Sequence, residues 1–142
     1  MKQIRPIAIC VFRHNDRILV AAGYDPIKKE TFYRPLGGGI EFGEYSEQTI
    51  CREVLEEIGA EAGELKYLGT LENIFVFNRT AGHEMVQVYD GKLRDTGLYE
   101  QPLIVGQEMD IGASFQASWK HIDEFGDGKL ILYPTGLLAL LR

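Results

Sequence analysis

Hydrophobic and polar positions first suggest strands near the start of the chain. Residues 4–13 (IRPIAICVFR) alternate between two sets of apolar side chains, which is the period-two pattern of a buried strand. Residues 14–17 (HNDR) are polar and predict a turn, after which residues 18–22 are apolar again. The pattern therefore predicts a β-hairpin over residues 4–22.

A different pattern, with apolar residues three and four positions apart, covers Ser46–Ile58. Successive residues of an α-helix rotate by about 100°, so this spacing places the apolar side chains on one side of a helix. Ser46 is a suitable N-cap, and Gly59 is well placed to end the helix. The predicted apolar stripe comprises Ile50, Cys51, Val54, Leu55 and Ile58.

Further strands follow the predicted helix. Residues 23–31 (GYDPIKKET) contain turn-forming residues and predict a loop, and residues 32–34 predict a short extended piece. The segments 65–77 and 84–93 are rich in Leu, Ile, Val, Phe and Tyr and predict strands, with residues 78–83 as the turn between them.

The C-terminal third is less regular. Residues 94–114 predict a long irregular loop, and loops of this length are often functional. Residues 115–119 predict a strand, residues 121–125 one helical turn, and residues 134–142 a C-terminal helix. Because strands and helices interleave, the expected class is α/β or α+β with a mixed sheet, and 142 residues suit a single domain, 1–142.

The charge of the chain is concentrated in one segment. The formal net charge is −6 at pH 7, yet the stretch from Glu41 to Glu64 contains eight acidic residues and one base, Arg52. An acidic chain argues against a basic surface for nucleic acid or anionic membrane. Cys10 and Cys51 are expected as reduced thiols in the core. With neither a signal-peptide pattern nor a long apolar run, we expect a cytoplasmic domain.

Acidic side chains of the predicted helix form a group of their own. Glu53, Glu56 and Glu57 lie three and four residues apart on the side of the helix away from the apolar stripe. Clustered carboxylate oxygens suit a hard divalent cation, Mg²⁺ or Mn²⁺. Glycines 37–39 would let a loop fold back over this cluster. The alternative is a solvated acidic face that follows a flexible loop.

The order of these residues resembles the signature of the Nudix hydrolases (MutT-like proteins). The match comprises Gly38, five residues, Glu44, seven residues, and then residues 52–59 (REVLEEIG). Two positions differ from the usual pattern, because Ala60 stands where a larger aliphatic residue is common and Leu36 separates Pro35 from the glycines.

The resemblance implies a fold, an activity and a set of site residues. It implies an α/β/α sandwich, in which a mixed β-sheet lies between α-helices, and hydrolysis of a pyrophosphate bond in a nucleoside diphosphate linked to another moiety. Arg52 and Glu44 would orient the metal-binding glutamates, and Glu41 could be an outer ligand. The implied metal ligands are Glu53, Glu56, Glu57 and the backbone carbonyl of Gly38.

The general base and the substrate contacts stay open at this stage. Glu57 could be the base, and Glu100 and Glu108 in the long predicted loop are the alternatives. Arg34 could reach a phosphate or stack on a base, and His83 could line the cleft. Glu84 could line the cleft beside His83, whereas Lys28 and Lys29 are expected to be solvated. Tyr24, Phe32 and Tyr33 could stack on a purine, with packing in the core or at its rim as the alternative.

The substrate class is also left open by the sequence. Relatives act on ADP-ribose, nucleoside triphosphates, dinucleoside polyphosphates and capped RNA ends, and the absence of a basic surface favours a small nucleotide such as a nucleoside triphosphate or ADP-ribose. The alternative is a sensor module that binds a nucleotide without cleaving it. Such a module would be expected to lose helix carboxylates, whereas Glu53, Glu56 and Glu57 are all present. Monomer and homodimer both remain open.

Overall fold

The computed structural model describes residues 2–108 and 113–142, and eight strands account for most of them. β5 and β6 are by far the longest. The strands are β1 (Arg5–His14), β2 (Arg17–Asp25), β3 (Glu30–Arg34), β4 (Leu36–Gly39), β5 (Ala62–Phe77), β6 (Thr80–Leu93), β7 (Leu103–Glu108) and β8 (Ala113–His121).

The helices are few and mostly short. The longest helix covers the predicted residues, Ser46–Ile58. They are α1 (Ser46–Ile58), a 3₁₀ helix (Thr96–Glu100), α2 (Asp123–Gly126) and α3 (Leu137–Leu141). Among the helices of the described ranges, none combines the length and apolar character that crossing a membrane requires.

The strands form a mixed sheet in the order β5-β6-β1-β2-β8-β7, with β4 also paired to β1 and β3 to β2. β1 runs parallel to β6, and the other pairs are antiparallel. β1 and β2 pair only next to their turn, at Arg13 with Ile18 and His14 with Arg17. The two strands therefore diverge, and β4 takes the place beside β1 that a regular hairpin would have filled.

Alternate side chains of β1 point into two separate cores. Ala8, Cys10 and Phe12 pack in the core that α1 covers. Ile7, Ile9 and Val11 pack in the core that contains α2 and α3. Because both faces of β1 are buried, the strand reads as a continuous apolar run. The predicted arrangement of a mixed sheet between helices is confirmed.

The ends of α1 follow from local hydrogen bonds. Gly59 adopts the left-handed conformation (φ 66°) and donates its N–H to the carbonyl of Leu55 at 2.9 Å, as predicted for a terminating glycine. The predicted N-cap is wrong, because the cap is Tyr45, whose N–H is accepted by the Gln48 side chain. The Ser46 hydroxyl instead bonds the Tyr89 hydroxyl at 2.6 Å.

Several other predicted boundaries also need correction. β2 and β3 extend into the predicted loop and leave a tight turn, in which the Asp25 carboxylate accepts the N–H groups of Ile27 and Lys28. The turn between β5 and β6 is two residues, Asn78 and Arg79, instead of residues 78–83. Both have positive φ (49° and 67°), as tight hairpin turns require.

The predicted irregular segment 94–114 is largely ordered. It contains the 3₁₀ helix and β7, which pairs with β8, and β8 begins two residues earlier than predicted. Residues 109–112 of the predicted loop lie outside the described residues. Leu55 and Cys51, both predicted in the apolar stripe of α1, are exposed (Leu55 by 57 %), because the core lies along the flank marked by Ile50 and Val54.

Candidate active site

The glycine-rich strand β4 lies directly against the acidic face of α1. A Cβ built on Gly38 would stand 2.5 Å from the carboxyl carbon of Glu53, a distance that no side chain can occupy. At Gly38 the backbone therefore passes too close to the Glu53 carboxylate for any side chain to fit between them. The glycine-rich segment thus approaches the helix closely, as the sequence predicts.

This contact gives a first test. We expect Gly38→Ala to displace the Glu53 carboxylate and to reduce any activity of the site by roughly 100-fold, since site geometry tolerates little displacement. Gly39→Ala is the matched control, because a Cβ there would meet only the end of the flexible Arg5 side chain, at 3.4 Å. Equal losses in the two variants, measured as kcat/KM, would contradict this role for Gly38.

Arg52 holds the site together by contacting both the loop and the helix. Its guanidinium donates to the two carboxylate oxygens of Glu44, at 2.8 and 3.0 Å. It also donates to the Gly39 carbonyl at 3.0 Å and to Glu53 Oε1 at 2.9 Å. The side chain thus ties α1 to β4 and to the loop that follows it, while it fixes the position of Glu53.

Glu44 is held as an ion by several donors at once. Besides Arg52, it accepts the Thr49 hydroxyl at 2.6 Å and the Glu41 N–H at 3.2 Å. The hydrogen bonds from Arg52 and from Thr49 lower the pKa of Glu44 to about 2. Glu44 therefore stays charged throughout the physiological range and keeps Arg52 in place.

Two of the predicted carboxylates lie at the rim. Glu56 Oε2 is 3.4 Å from Arg52 Nη1, and Glu41 Oε1 is 3.7 Å from the same atom. Both side chains are substantially exposed, in contrast to Glu53. Arg52 thus contacts carboxylates from the loop and from the helix, and its charge offsets part of their repulsion.

Glu57 is the most unusual group of the site. It is 95 % buried, and its Oε1 atom has no hydrogen-bond partner among the described residues. Burial raises its pKa to about 9, with further contributions from the neighbouring carboxylates of Glu108 and Glu53. Burial likewise raises the pKa of Glu53, against the effect of Arg52. A carboxylate placed so unfavourably is typical of a functional group.

These residues fit a hard divalent cation. Glu57 offers an unpartnered buried oxygen, Glu53 lies close to it, and both are oxygen donors of the kind that Mg²⁺ and Mn²⁺ prefer. Within residues 2–108 and 113–142, no three His, Cys, Asp or Glu side chains converge at the spacing of metal ligands. Glu56, the third predicted ligand, lies instead beside Arg52.

A cavity of about 490 Å³ opens beside this cluster, which is the usual size of a small-ligand site. Arg34 and Glu84 line it, as the sequence suggested, and so does Lys28, which was expected to be solvated. His83 does not, because successive side chains of β6 point to opposite faces and its neighbour Glu84 is the one that points inward. Other lining residues are Arg5, Asp25, Glu30, Phe32, Gly37, Gly38, Glu57, Asn73, Phe75, Phe77, Glu108 and Tyr133.

Of the aromatic candidates for stacking, only Phe32 lines the cavity. Tyr33 points to the other face of its strand and packs edge-on against Phe125. Tyr24 is absent from the cavity lining and is exposed. Because successive side chains of β3 point to opposite faces of the sheet, Phe32 faces the cavity and Tyr33 does not.

The two loop glutamates proposed as alternatives for the general base lie in different places. Glu108, at the end of β7, lies beside Glu57, whose pKa it helps to raise. Glu100 lines a separate surface depression together with His14 and Arg13. The structure thus brings Glu108 to the carboxylate cluster and places Glu100 elsewhere.

Sequence reasoning missed Asn73, which is buried in the cavity next to Glu84. The sequence does contain a signal that could have located Asn73 opposite Glu84. Once Asn78 and Arg79 are taken as a two-residue turn, counting back along both strands places Asn73 opposite Glu84.

Comparison with known proteins gives a consistent result for the fold. The NUDIX domain profile matches residues 2–129. The crystal structure of a MutT NUDIX hydrolase from Burkholderia pseudomallei superposes with a TM-score of 0.69 at 18 % identity, covering 99 % of this chain and 98 % of that one. A NUDIX hydrolase from Nitrosomonas europaea gives 0.68 at 17 % identity, covering 98 % and 86 %.

Curated relatives match over a shorter stretch. The NAD-capped RNA hydrolase NudC of Enterobacter sp. (strain 638) is 38 % identical over 66 residues, which is 46 % of this chain and 25 % of that protein. NudC of Vibrio atlanticus (strain LGP32) is 35 % identical over 68 residues, or 48 % and 24 %. The chain thus spans about a quarter of the length of these relatives.

Proposed function

The chain belongs to the NUDIX family, and on that premise we propose that it is a metal-dependent hydrolase of small nucleotides. The proposed reaction cleaves a pyrophosphate bond in a nucleoside diphosphate linked to another moiety, such as a nucleoside triphosphate or ADP-ribose. The observation that carries the proposal is the buried, unpartnered oxygen of Glu57 at the edge of a cavity of ligand size. An acidic cluster of this kind repels a polyphosphate unless a cation lies between them.

We propose Mg²⁺ or Mn²⁺ as that cation. Glu53 and Glu57 would hold it, assisted by the Gly38 carbonyl and by Glu56 from the rim. When bound, such a cation neutralises phosphate charge and lowers the pKa of a coordinated water. Arg52 and Glu44 keep Glu53 in position, and the close passage of Gly38 over Glu53 brings its backbone to the same point.

The substrate would lie in the cavity with its diphosphate at the Glu57 end. Arg34 and Lys28 line the cavity and supply positive charge for phosphate oxygens. In phosphoryl transfer the protein acts mainly by positioning the groups and stabilising their charge. A carboxylate cluster, a guanidinium and an ammonium are sufficient for that task.

Glu108 is the proposed general base. It lies beside Glu57 and is exposed at the end of β7, so it can accept a proton from an attacking water at the cavity. Glu57 then serves to hold the cation. This division gives each carboxylate one role.

The division can be tested by comparing two variants. We expect Glu108→Gln to lower kcat by roughly 100-fold at nearly unchanged KM and Mn²⁺ affinity, because it removes a proton acceptor but no ligand. Glu100→Gln is the matched control, since that residue lies at another surface, and its kcat should match the parent protein. If Glu108→Gln keeps its kcat, the base must be another residue.

The overall proposal is tested by incubating the protein with Mg²⁺ and a panel of nucleotides, with the phosphate products resolved. The panel includes nucleoside triphosphates, ADP-ribose, dinucleoside polyphosphates and NAD-capped RNA, the last because the NudC relatives carry that name. Metal-dependent cleavage of a small nucleotide supports the proposal. Tight binding without cleavage would identify a sensor module, and cleavage of capped RNA alone would contradict the small-nucleotide assignment.

A further inference from the structure

Two polar side chains are buried in the wall of the cavity that Glu57 borders. Asn73 on β5 and Glu84 on β6 are 92 % and 96 % buried and stand opposite each other in register. The Asn73 amide nitrogen donates to Glu84 Oε1 at 3.4 Å. A carboxylate only accepts hydrogen bonds, so this contact fixes the orientation of the Asn73 amide, with its NH₂ group towards Glu84.

Most hydrogen-bond acceptor positions of the Glu84 carboxylate are not used by the fold. Within the described part of the chain, the only hydrogen bond found for the Glu84 side chain is this long one from Asn73. Its Oε2 atom has Arg5 Nη1 at 3.9 Å, which is beyond hydrogen-bond range. The charge of Arg5 offsets part of the carboxylate's charge, but most acceptor positions of the Glu84 side chain have no donor among the described residues. The placement is explained if a ligand supplies the missing donors.

The walls of the cavity suit a planar ring. Phe32 lies against Gly23 of the neighbouring strand, and Phe75 lies in the same way against Gly82. Because these glycines have no side chain, each ring can lie flat along the sheet. Phe77 meets Phe32 edge to face, with ring centres 5.9 Å apart. Aromatic walls around a buried polar pair are the usual composition of a site for a heteroaromatic ligand.

The donors and acceptors of the pair define which base fits. The Asn73 NH₂ group offers a donor, and the two Glu84 oxygens beside it offer acceptors. The pairing edge of guanine presents the complement: the O6 acceptor, followed by the N1–H and N2–H donors. Adenine can accept from Asn73 at N1 and donate N6–H to the carboxylate, but it offers only this one donor, so the second Glu84 oxygen stays without a partner.

We propose that Asn73 and Glu84 bind the pairing edge of a guanine base, and that the substrate is therefore a guanine nucleotide. This inference rests on the proposed function for the position of the diphosphate. The base then lies between the phenylalanine rings, and its phosphates extend towards Glu57. A site built to hydrogen-bond a base edge rejects an analogue that lacks the partner groups, because its own polar groups stay unpaired.

The test measures binding separately from turnover. The probes are the α,β-methylene diphosphates of guanosine, inosine and adenosine, titrated by calorimetry in the presence of Mg²⁺. We expect inosine and adenosine, each of which offers the carboxylate one donor instead of two, to bind about 10-fold more weakly than guanosine. In Glu84→Gln the three affinities should fall within about 3-fold of one another. Glu72→Gln on the exposed side of β5 is the matched control and should keep the full preference.

The outcomes separate the two proposals. Equal binding of the three nucleotides by the parent protein, which requires no variant to fold, overturns the inference. A uniform gain in affinity in Glu84→Gln would also overturn it, since the carboxylate would then act only by repelling phosphate. Guanine preference without hydrolysis of any nucleotide contradicts the proposed function alone, and hydrolysis without base preference contradicts the inference alone.

Discussion

Replacing Glu57 with Gln should abolish turnover and, in metal-free protein, raise stability. We expect kcat/KM to fall by roughly 10³-fold or more, about 4 kcal/mol of transition-state stabilisation, because the variant loses the carboxylate that holds the cation. Without metal, the same change removes a buried carboxyl group that stays protonated in the folded protein at a pH where it ionises in the unfolded chain. The free energy of unfolding should therefore increase by about 1–3 kcal/mol at pH 8.

The stability effect has a defined pH dependence. Burial raises the pKa of Glu57 from 4.5 to about 9, so the folded state binds its proton more tightly than the unfolded state does. Stability associated with this group is fully present below pH 4.5 and is lost as the pH rises towards 9. The difference between Glu57→Gln and the parent protein should thus grow over that interval.

Denaturant titrations at pH 5 and pH 8 in EDTA measure this difference. Glu61→Gln is the control, since that side chain is 74 % exposed just beyond α1. Addition of Mn²⁺ should reverse the order, because the cation stabilises only the protein that binds it. A Glu57→Gln protein that is equally stable or less stable at pH 8 without metal would contradict the assignment of Glu57 as a buried carboxyl group with a raised pKa.

The second large effect is expected at Arg52. Arg52→Lys keeps the charge but loses the planar guanidinium that contacts Glu44, Gly39 and Glu53 simultaneously. A lysine ammonium cannot replace that set of bonds. We expect a loss of about 10–100-fold in Mn²⁺ affinity and in kcat/KM, as is usual for residues that orient metal ligands.

The control and the test of mechanism use two further variants. Arg94→Lys changes an exposed arginine that pairs with Glu61 away from this site, and its activity should stay unchanged. Glu44→Gln should lower activity by a similar factor to Arg52→Lys, and the double variant should be little worse than either one. Fully additive losses would show that the two residues act independently.

The helix and its acidic face were predictable because both depend on local sequence. The spacing of Ile50 and Val54 places the core side of α1, and Gly59 ends it through its own backbone conformation. Leu55 was misplaced because helical spacing gives only the direction of a side chain, whereas its exposure depends on what packs beside it. The charge cluster itself needed no tertiary information.

The substrate side of the cavity was much harder to predict. The burial of Asn73 beside Glu84 depends on the register of two long strands, which the turn between them sets. That turn has two residues, whereas the sequence pattern predicted six. His83 was predicted to line the cavity, but in the structure the adjacent residue, Glu84, points into it. β7 was missed because its alternation is short, with Ile104 buried between the exposed Leu103 and Val105.

The most direct test of the central claim is a calorimetric titration of Mn²⁺ into the protein with a non-hydrolysable nucleotide present. The account predicts saturable Mn²⁺ uptake by the parent protein and its loss in Glu57→Gln, whose fold is checked by circular dichroism. Absence of uptake by the parent protein, or identical uptake by the variant, would contradict the claim that the carboxylates of α1 hold a divalent cation.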